Sequence, residues 1–308
     1  MNHMKLLAGL TLILSLAACG SVGTPPSVSA DPAPLSSADT TSELGGAVAS
    51  DVEQTLSSLS DTAAFGSQSL DSQANACRAA DPASSLLDPA GRPLDSDTDG
   101  IPDRVVWLYT SCQRGGAVLN GSSLLSDPNA DPTVAGSFVE QPRNLALSYT
   151  RADGSVRTET RNGSSTGTLT GRSSLNIARD ITETISDTLH ASRLATWKNQ
   201  VTVQFTAAAG QTIDRRHALP AGTVSVNGPR EWHVSDGTRQ ADRYLTIVTT
   251  APLAFDPTCN SMADRIFGSS HARSGSFNVL VYGDAARTVL NKTVTVTYQD
   301  CAPTISSS

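Results

Sequence analysis

Apolar and polar side chains alternate along most of the chain beyond Arg104. Val, Phe, Tyr or Trp recurs at every second position in residues 105–110, 201–205, 277–281 and 294–298, and in the last three segments the positions between are mostly Thr, Gln or Asn. This period of two is typical of antiparallel strands with one buried face. Turn signals fall between the runs, at Asp153-Gly154, Asn162-Gly163, Asp236-Gly237 and Gly283-Asp284. The first of them predicts a hairpin, in which residues 145–149 pair with the segment from Val156 onward.

Residues 104–308 are therefore predicted to form a mainly β domain. The prediction is one large antiparallel sheet of about ten or more strands, either a curved sheet or an incomplete barrel or sandwich. Glycine-bounded apolar stretches begin at Gly116, Gly167 and Gly222, with an echo at Gly275, and they recur every 51 to 55 residues. The recurrence fits repeated hairpin modules, or equally the chance recurrence of residue patterns that are common in strands and turns.

Residues 177–194 fit two patterns. Ile or Leu recurs at every fourth position from Ile177 to Leu189, as in a helix, whereas the interspersed threonines favour a strand. We predict a strand, because strands surround the segment. That choice places Glu183 and Asp187 on the isoleucine face, which requires that face to be wet.

The chain before the β domain is different in composition. Residues 19–48 are rich in Ser, Ala, Pro, Thr and Gly, which predicts a flexible tether after Cys19. Residues 49–103 form an acidic segment, and helical spacing within it predicts a short N-terminal helix with Ser50 or Asp51 as its N-cap. The apolar positions of that helix are Val52, Leu56, Leu59 and Ala63.

The N-terminus has the order of an export signal. One charge, Lys5, precedes an apolar run over residues 6–18, which is too short to cross a bilayer and predicts a signal peptide over residues 1–18. Leu16-Ala17-Ala18-Cys19 resembles the lipobox of bacterial lipoproteins. The resemblance implies cleavage before Cys19 and acylation of its sulfur and amine with chains such as palmitate. Two or three acyl chains would anchor the protein in a membrane of the bacterial cell envelope, facing outside the cytoplasm. The alternative is an ordinary secretory signal with a chance cysteine.

Charge is unevenly distributed over the 290 residues from Cys19 onward. Residues 20–103 carry 13 acidic side chains against Arg78 and Arg92, a net charge of −11, whereas residues 104–308 have a net charge of +3. Nucleic-acid binding requires a basic face, so we predict no nucleic-acid partner.

Four cysteines follow Cys19, an even number that favours disulfides in an exported protein. We favour Cys77–Cys112 and Cys259–Cys301, because each pair brackets a local unit. Free buried thiols are the alternative.

One segment carries recognisable binding chemistry. Residues 95–103 place Asp95, Asp97 and Asp99 at alternate positions before Gly100, with Asp103 three residues beyond. Ca²⁺ takes six to eight oxygen ligands, which such a loop supplies from carboxylates and from the carbonyl of Ile101. The segment resembles the DxDxDGxxD loops of thrombospondin type 3 repeats and the first half of an EF-hand loop. It departs from the EF-hand at position 12, where Val106 replaces a bidentate Glu. We therefore predict a structural calcium site, with further oxygens from residues such as Asp88; the alternative is an acidic turn without metal.

No catalytic constellation stands out in the sequence. It contains no HExxH and no phosphate loop. The tryptophans Trp107, Trp197 and Trp232 are expected in the core.

Three functions remain, in order of preference. The first is a binding protein that holds an apolar or extended partner on the inner face of the sheet. The second is a structural or adhesive envelope protein without a small ligand, and the third, least favoured, is an enzyme. A cavity lined by inner-face residues would favour the first, and tight packing of the same residues the second; they are Val201, Val203, Phe205, Val294, Val296 and Tyr298. An enzyme would need acids converging on His217, His233 or His271.

Overall fold

The computed structural model describes residues 45, 48–49, 52, 77–114, 117–129, 136–150, 154–189, 191, 194–213, 219–235, 240–259 and 272–308. The predicted signal peptide, Cys19, most of the tether, Leu56, Leu59 and Ala63 lie outside the described residues. In the described part of the chain, no helix has the length and apolar character needed to cross a membrane.

Twelve strands are present among the described residues. They are β1 (Arg78–Ala80), β2 (Val105–Arg114), β3 (Ala117–Ser126), β4 (Ser137–Thr150), β5 (Val156–Thr170), β6 (Ser174–Asp187), β7 (Leu194–Ala207), β8 (Gly222–Ser235), β9 (Gln240–Phe255), β10 (Ala272–Tyr282), β11 (Leu290–Gln299) and β12 (Ala302–Ser307). The alternating pattern of the sequence supplies each with one buried face.

All twelve strands belong to one antiparallel sheet in which each strand pairs with its neighbour in the chain. Among the described residues β1 and β12 are its two edges, and the sheet does not close into a barrel. The predicted fold class is therefore confirmed. Because the strands alternate in direction, the turns after β2, β4, β6, β8 and β10 share one end, which we call the hairpin end. Residues 81–104 lie at the opposite end.

Residues 177–187 of the ambiguous segment are strand, as predicted, but β6 ends at Asp187, and the rest of the segment leads to β7, which begins at Leu194. β6 pairs with β5 from Ser174 to Asp187 and with β7 from Ser174 to Ser186. The helical spacing of its isoleucines is overridden by pairing on both sides, since a central strand has every backbone hydrogen bond met by its neighbours.

The Asn162-Gly163 turn signal was wrong, because both residues lie inside β5. Gly163 has φ +133°, and a Cβ there would collide with the backbone carbonyl of Asp180 on β6. A glycine that bends a strand cannot be told from a turn glycine in the sequence, because both positions need a positive φ. Gly228 in β8 repeats the arrangement, with φ +136° against the carbonyl of Gln200. The glycine-bounded stretches fall on β3, β5, β8 and β10, at unequal strand intervals, so they are not copies of one hairpin module.

The sheet curls around its own core. Buried side chains from Val105 on β2 to Tyr298 on β11 form one continuous cluster on the inner face. Trp197 and Trp232 belong to it, as expected, with ring centroids 5.7 Å apart. Trp107 is half-buried against this cluster under the guanidinium of Arg78, which lies 3.7 Å from the ring centroid.

Helical residues before position 53 also enter this core. Val48, Ala49 and Val52 are helical and at most 3% exposed, and helical Gly45 packs against Ile305. The helical region therefore begins before the predicted N-cap and reaches into the segment predicted as tether. Its small side chains hid the spacing of three and four residues, because Gly and Ala add little to an apolar pattern.

Both favoured disulfides are present. Cys77 pairs with Cys112 and Cys259 with Cys301, with Cα atoms 5.0 and 5.5 Å apart. The first fastens the β1 edge of the sheet and the second fastens the β12 edge. Such bonds persist in oxidising compartments, which indicates a location outside the cytoplasm.

Candidate functional site

The acidic loop brings three of its carboxylates together. Oxygens of Asp95, Asp97 and Asp99 lie within 4.8 Å of one another, a spacing at which they can hold one metal ion. The loop lies at the opposite end of the sheet from the hairpin end, immediately before β2. Ile101 anchors it, since that side chain is 1% exposed and belongs to the main core.

Backbone N–H groups shape the loop. Gly100 N–H donates to Oδ2 of Asp95 at 3.0 Å, and Ile101 N–H donates to Oδ1 of Asp99 at 2.7 Å. Gly100 has φ +93°, so the glycine at position 6 meets the need for a sharp turn that the sequence predicted. The carboxylates are therefore turned toward one point by the chain itself.

Asp103 and Asp88 lie outside this cluster. Both oxygens of Asp103 accept hydrogen bonds from Ser96, one from its N–H at 2.9 Å and one from its hydroxyl. Asp88 forms an ion pair with Arg92 at 2.7 Å and also accepts from backbone N–H groups. Asp88 therefore does not contribute to the loop, because its own turn occupies it. The carbonyl of Ile101 as a fourth ligand stays a prediction.

The electrostatics of the cluster suit a cation. Burial, followed by the nearby negative charge of Asp97, raises the pKa of Asp95 above its ordinary value. Oδ1 of Asp95 is buried and accepts no hydrogen bond from any residue that the structure describes. Carboxylate oxygens held close together are the donor set of a hard divalent cation, and such an ion would relieve their repulsion.

A second site lies on the inner face, where charged side chains take positions that normally hold apolar ones. We call it the charged layer: Glu140 on β4, Arg157, Glu159 and Arg161 on β5, Arg179 and Glu183 on β6, and Arg230 on β8. Arg157, Glu159, Glu183 and Arg230 are at most 5% exposed. The side chain of Arg161 is 28% exposed, so solvent reaches one side of the layer.

Two ion pairs join four members of the layer. Nε of Arg157 lies 3.1 Å from Oε1 of Glu159, and a terminal nitrogen of Arg161 lies 3.3 Å from Oε1 of Glu183. Arg179 Nε donates to the Ser165 hydroxyl at 3.4 Å. Charges remain this deep in a protein only when other groups compensate them.

Burial and neighbouring charges shift the pKa values of three members of the layer, Glu159, Arg161 and Arg230. Burial, and next the charge of Glu183, raises the pKa of Glu159 to about 7. Burial lowers the pKa of Arg230 to about 9. The Glu183 carboxylate raises the pKa of Arg161 above its already high value. Perturbation on this scale is typical of functional sites, although structural ion pairs also produce it.

Polar atoms beside the layer are left unsatisfied within the described residues. Nε1 of Trp197, Nε1 of Trp232 and Oδ1 of Asn199 are buried and make no hydrogen bond there. Trp197 pairs across the strands with both Glu183 and Trp232, and Asn199 pairs with Arg230. Buried polar groups normally find a hydrogen-bond partner, so these three atoms can bond to a group beyond the described residues.

The sequence contained a signal for this layer. Residues 157, 159 and 161 place Arg, Glu and Arg at every second position, so a strand there must turn three charges to one face. The wet face expected around Glu183 was wrong, because Glu183 is 5% exposed and its charge is met by Arg161 instead of by solvent. Only the pairing of β5 with β6 shows that both charged faces are the inner one and meet.

The apolar inner-face residues are packed rather than exposed. Val201, Val203, Phe205, Val294, Val296 and Tyr298 are at most 2% exposed and belong to one cluster. They fill the interior of the curled sheet and present little surface to a partner.

His233 lies near two acids on the other face of β8. Its Nδ1 is 2.8 Å from Oδ1 of Asp242 and its Nε2 is 3.5 Å from Oε2 of Glu231. His217 and His271 lie outside the described residues.

No known protein family matches the chain, and neither a curated protein nor a solved structure shows significant similarity to it. Function must therefore be inferred from the chemistry of the two sites.

Proposed function

We propose that the protein is a lipoprotein of the bacterial cell envelope, anchored through acylated Cys19, whose curled sheet binds an anionic ligand at the charged layer. The observation that carries the binding role is the charged layer itself, with unsatisfied polar atoms beside it. The anchor is supported by the lipobox resemblance at residues 16–19 and by two disulfides that indicate an oxidising compartment.

The ligand class follows from the charges. Four arginines face three glutamates, and Glu159 with a pKa of about 7 is partly protonated at neutral pH. The layer therefore has a positive balance. Guanidinium and indole N–H groups are hydrogen-bond donors, which suit a carboxylate or phosphate group. The apolar partner expected from the sequence has less support, because the apolar residues already pack against one another.

Calorimetry on the chain from Cys19 onward tests binding. The probes are inorganic phosphate and acetate, and glucose is the neutral comparison. We expect the anions to bind and glucose not to. Arg161→Gln is expected to weaken anion binding about tenfold or more, because the substitution removes one hydrogen bond to a charged group. Arg92→Gln is the matched control, because Arg92 is exposed and distant from the layer. No anion binding, or equal loss in both variants, would contradict the proposal.

We further propose that the acidic loop holds a structural calcium ion through Asp95, Asp97 and Asp99. Three carboxylates within 4.8 Å support this assignment, as does the DxDxDG order of the loop. The ion would brace residues 81–104 against the start of β2. These residues connect β1 to β2 and contain none of the twelve strands.

A calcium titration tests this site, with the heat of binding and the melting temperature of the protein as the measured quantities. We expect saturable binding and a rise in melting temperature, since an ion that binds only the folded state stabilises it. Both effects should disappear in Asp97→Asn/Asp99→Asn and persist in Asp88→Asn, whose carboxylate is held by Arg92. If calcium has no effect on the parent protein, residues 95–103 form an acidic turn without metal.

The structural role is the second candidate, and the packed apolar interior favours it. A protein that binds none of the anions, and in which the charged layer serves only as a network of ion pairs, would support that alternative.

A further inference from the structure

Four large apolar residues protrude at the hairpin end of the sheet. Leu189 and Leu194 lie at the connection between β6 and β7, and Val289 and Leu290 lie at the connection between β10 and β11. Their exposed fractions are 56%, 48%, 56% and 52% in that order. Scattered single apolar residues are common on protein surfaces. Two pairs at the tips of hairpins that point the same way are a repeated feature, which we call the apolar rim.

Tyrosines extend the rim along the outer face. Tyr282 pairs across the strands with Leu290 on one side and with Tyr244 on the other. Both tyrosines are half-buried, and their chain neighbours Val281 and Leu245 are buried on the inner face. Leu290, Tyr282 and Tyr244 therefore form one row across β11, β10 and β9.

Polar groups in the connection between β10 and β11, which we call the second hairpin, form hydrogen bonds within the protein. The Asp284 carboxylate accepts from the N–H of Thr288 at 2.8 Å and from its hydroxyl at 2.5 Å. The Arg287 guanidinium donates to Glu231 on β8 at 3.0 Å. The Arg287 charge is thus paired with Glu231, and the Asp284 carboxylate is directed at its own turn, so neither group points away from the fold beside Val289.

We propose that the apolar rim rests on the surface of the lipid bilayer that holds the acylated Cys19. Aliphatic side chains at the tips would enter the boundary between headgroups and acyl chains, with tyrosines at headgroup level, where amphipathic rings are stable. This inference rests on the proposed lipid anchor and adds a defined orientation to it.

The start of the described chain fits this arrangement. Gly45 packs against Ile305 and Val294, on the strands beside the second hairpin. Val294 and Leu290 are four residues apart on β11, about 13 Å along the strand. Cys19 precedes Gly45 by 26 residues, which span at most on the order of 90 Å. The anchor can therefore reach the membrane with the rim facing down.

The orientation has a consequence for the acidic loop. Residues 95–103 lie at the opposite end of the sheet, so contact at the rim points Asp95, Asp97 and Asp99 away from the bilayer. In this orientation the loop is open to ions and partners of the surrounding compartment.

The test uses the full acylated protein reconstituted into phosphatidylcholine and phosphatidylglycerol vesicles that contain brominated acyl chains, which quench tryptophan fluorescence on contact. Leu189→Trp and Leu290→Trp place a reporter on each hairpin of the rim. Leu86→Trp is the matched control, because Leu86 is 49% exposed and lies at the opposite end. Emission is measured as the difference from the parent protein, whose three tryptophans remain.

We expect bromolipid-dependent loss of emission from both rim reporters and none from the control. Protein that floats with the vesicles while no rim reporter is quenched would overturn the rim and leave the anchor intact. Equal quenching of Leu86→Trp would overturn the orientation. Protein that stays out of the vesicle fraction would contradict the anchor itself, and the rim proposal would fall with it.

Discussion

Glu159 shows how one residue ties the stability of the fold to pH. Its carboxyl is 5% exposed and lies beside Glu183 and Arg157. Burial is the first cause of its raised pKa and the like charge of Glu183 the second. Single residues of this kind are expensive to bury, and a protein keeps them where they serve pairing or binding.

Stability is predicted to fall as pH rises from about 5 to about 7. The pKa of Glu159 is about 7 in the folded state against its ordinary value of 4.5, so the folded protein holds a proton that the unfolded chain releases. The contribution of that proton is present below pH 4.5 and is lost by pH 7, on the order of 3 kcal/mol. Urea denaturation at a series of pH values measures it. Glu159→Gln should flatten this fall, and an unchanged slope would show that another group causes it.

Glycine-bent strands are the feature that matters most at the level of elements. β6 and β9 have fourteen and sixteen residues. The ends of strands this long would extend past the core unless the sheet bends. Gly163 and Gly228 place positive φ angles inside β5 and β8, where the neighbouring backbone approaches too closely for a side chain. The bends keep the inner faces directed at one core.

Gly163→Ala is predicted to destabilise the protein by about 2 kcal/mol or more, because the new Cβ meets both an unfavourable φ and the Asp180 carbonyl. Gly91→Ala is the control. Gly91 also has a positive φ, +78°, but its Cβ would meet open space, so about 1 kcal/mol is expected from the dihedral alone. Equal losses of unfolding free energy would mean that the close approach of β6 contributes nothing.

At the scale of the whole molecule, the described strands form a single sheet with two edges, and each edge carries a disulfide. An open sheet of this size frays from its edge strands, which have a neighbour on one side only. Cys77–Cys112 closes a separation of 35 residues at the first edge, and Cys259–Cys301 closes one of 42 residues at the last.

Cys259→Ser/Cys301→Ser is predicted to lower the unfolding free energy by roughly 3–4 kcal/mol, as loop-closure entropy suggests for loops of this length. Amide exchange should rise first in β12, whose six residues pair only with β11. The Cys77→Ser/Cys112→Ser pair provides the comparison, since its effect should concentrate at β1 and β2. Uniform exchange over the whole sheet in both variants would argue against separate bracing of the edges.

The sequence alone determined the β class and the acidic loop with its turn glycine, and it favoured both disulfide pairs. The first two are local properties, because side-chain alternation and an acidic turn depend on neighbours in the chain. For residues 177–194 the local pattern fitted a helix as well as a strand, and only the surrounding strands decided for a strand. The charges of that segment were expected on a wet face, whereas Glu183 is buried.

Only the tertiary structure decided that the apolar residues of β7 and β11 belong to one buried cluster, that Gly163 lies inside a strand instead of ending it, and that Glu183 meets Arg161. Each depends on which strands become neighbours and how the sheet curls. The energy of burying a charge is set by partners that lie more than twenty residues away in the chain. Period-two alternation assigns a residue to a face, but the curvature of the sheet determines what that face encloses.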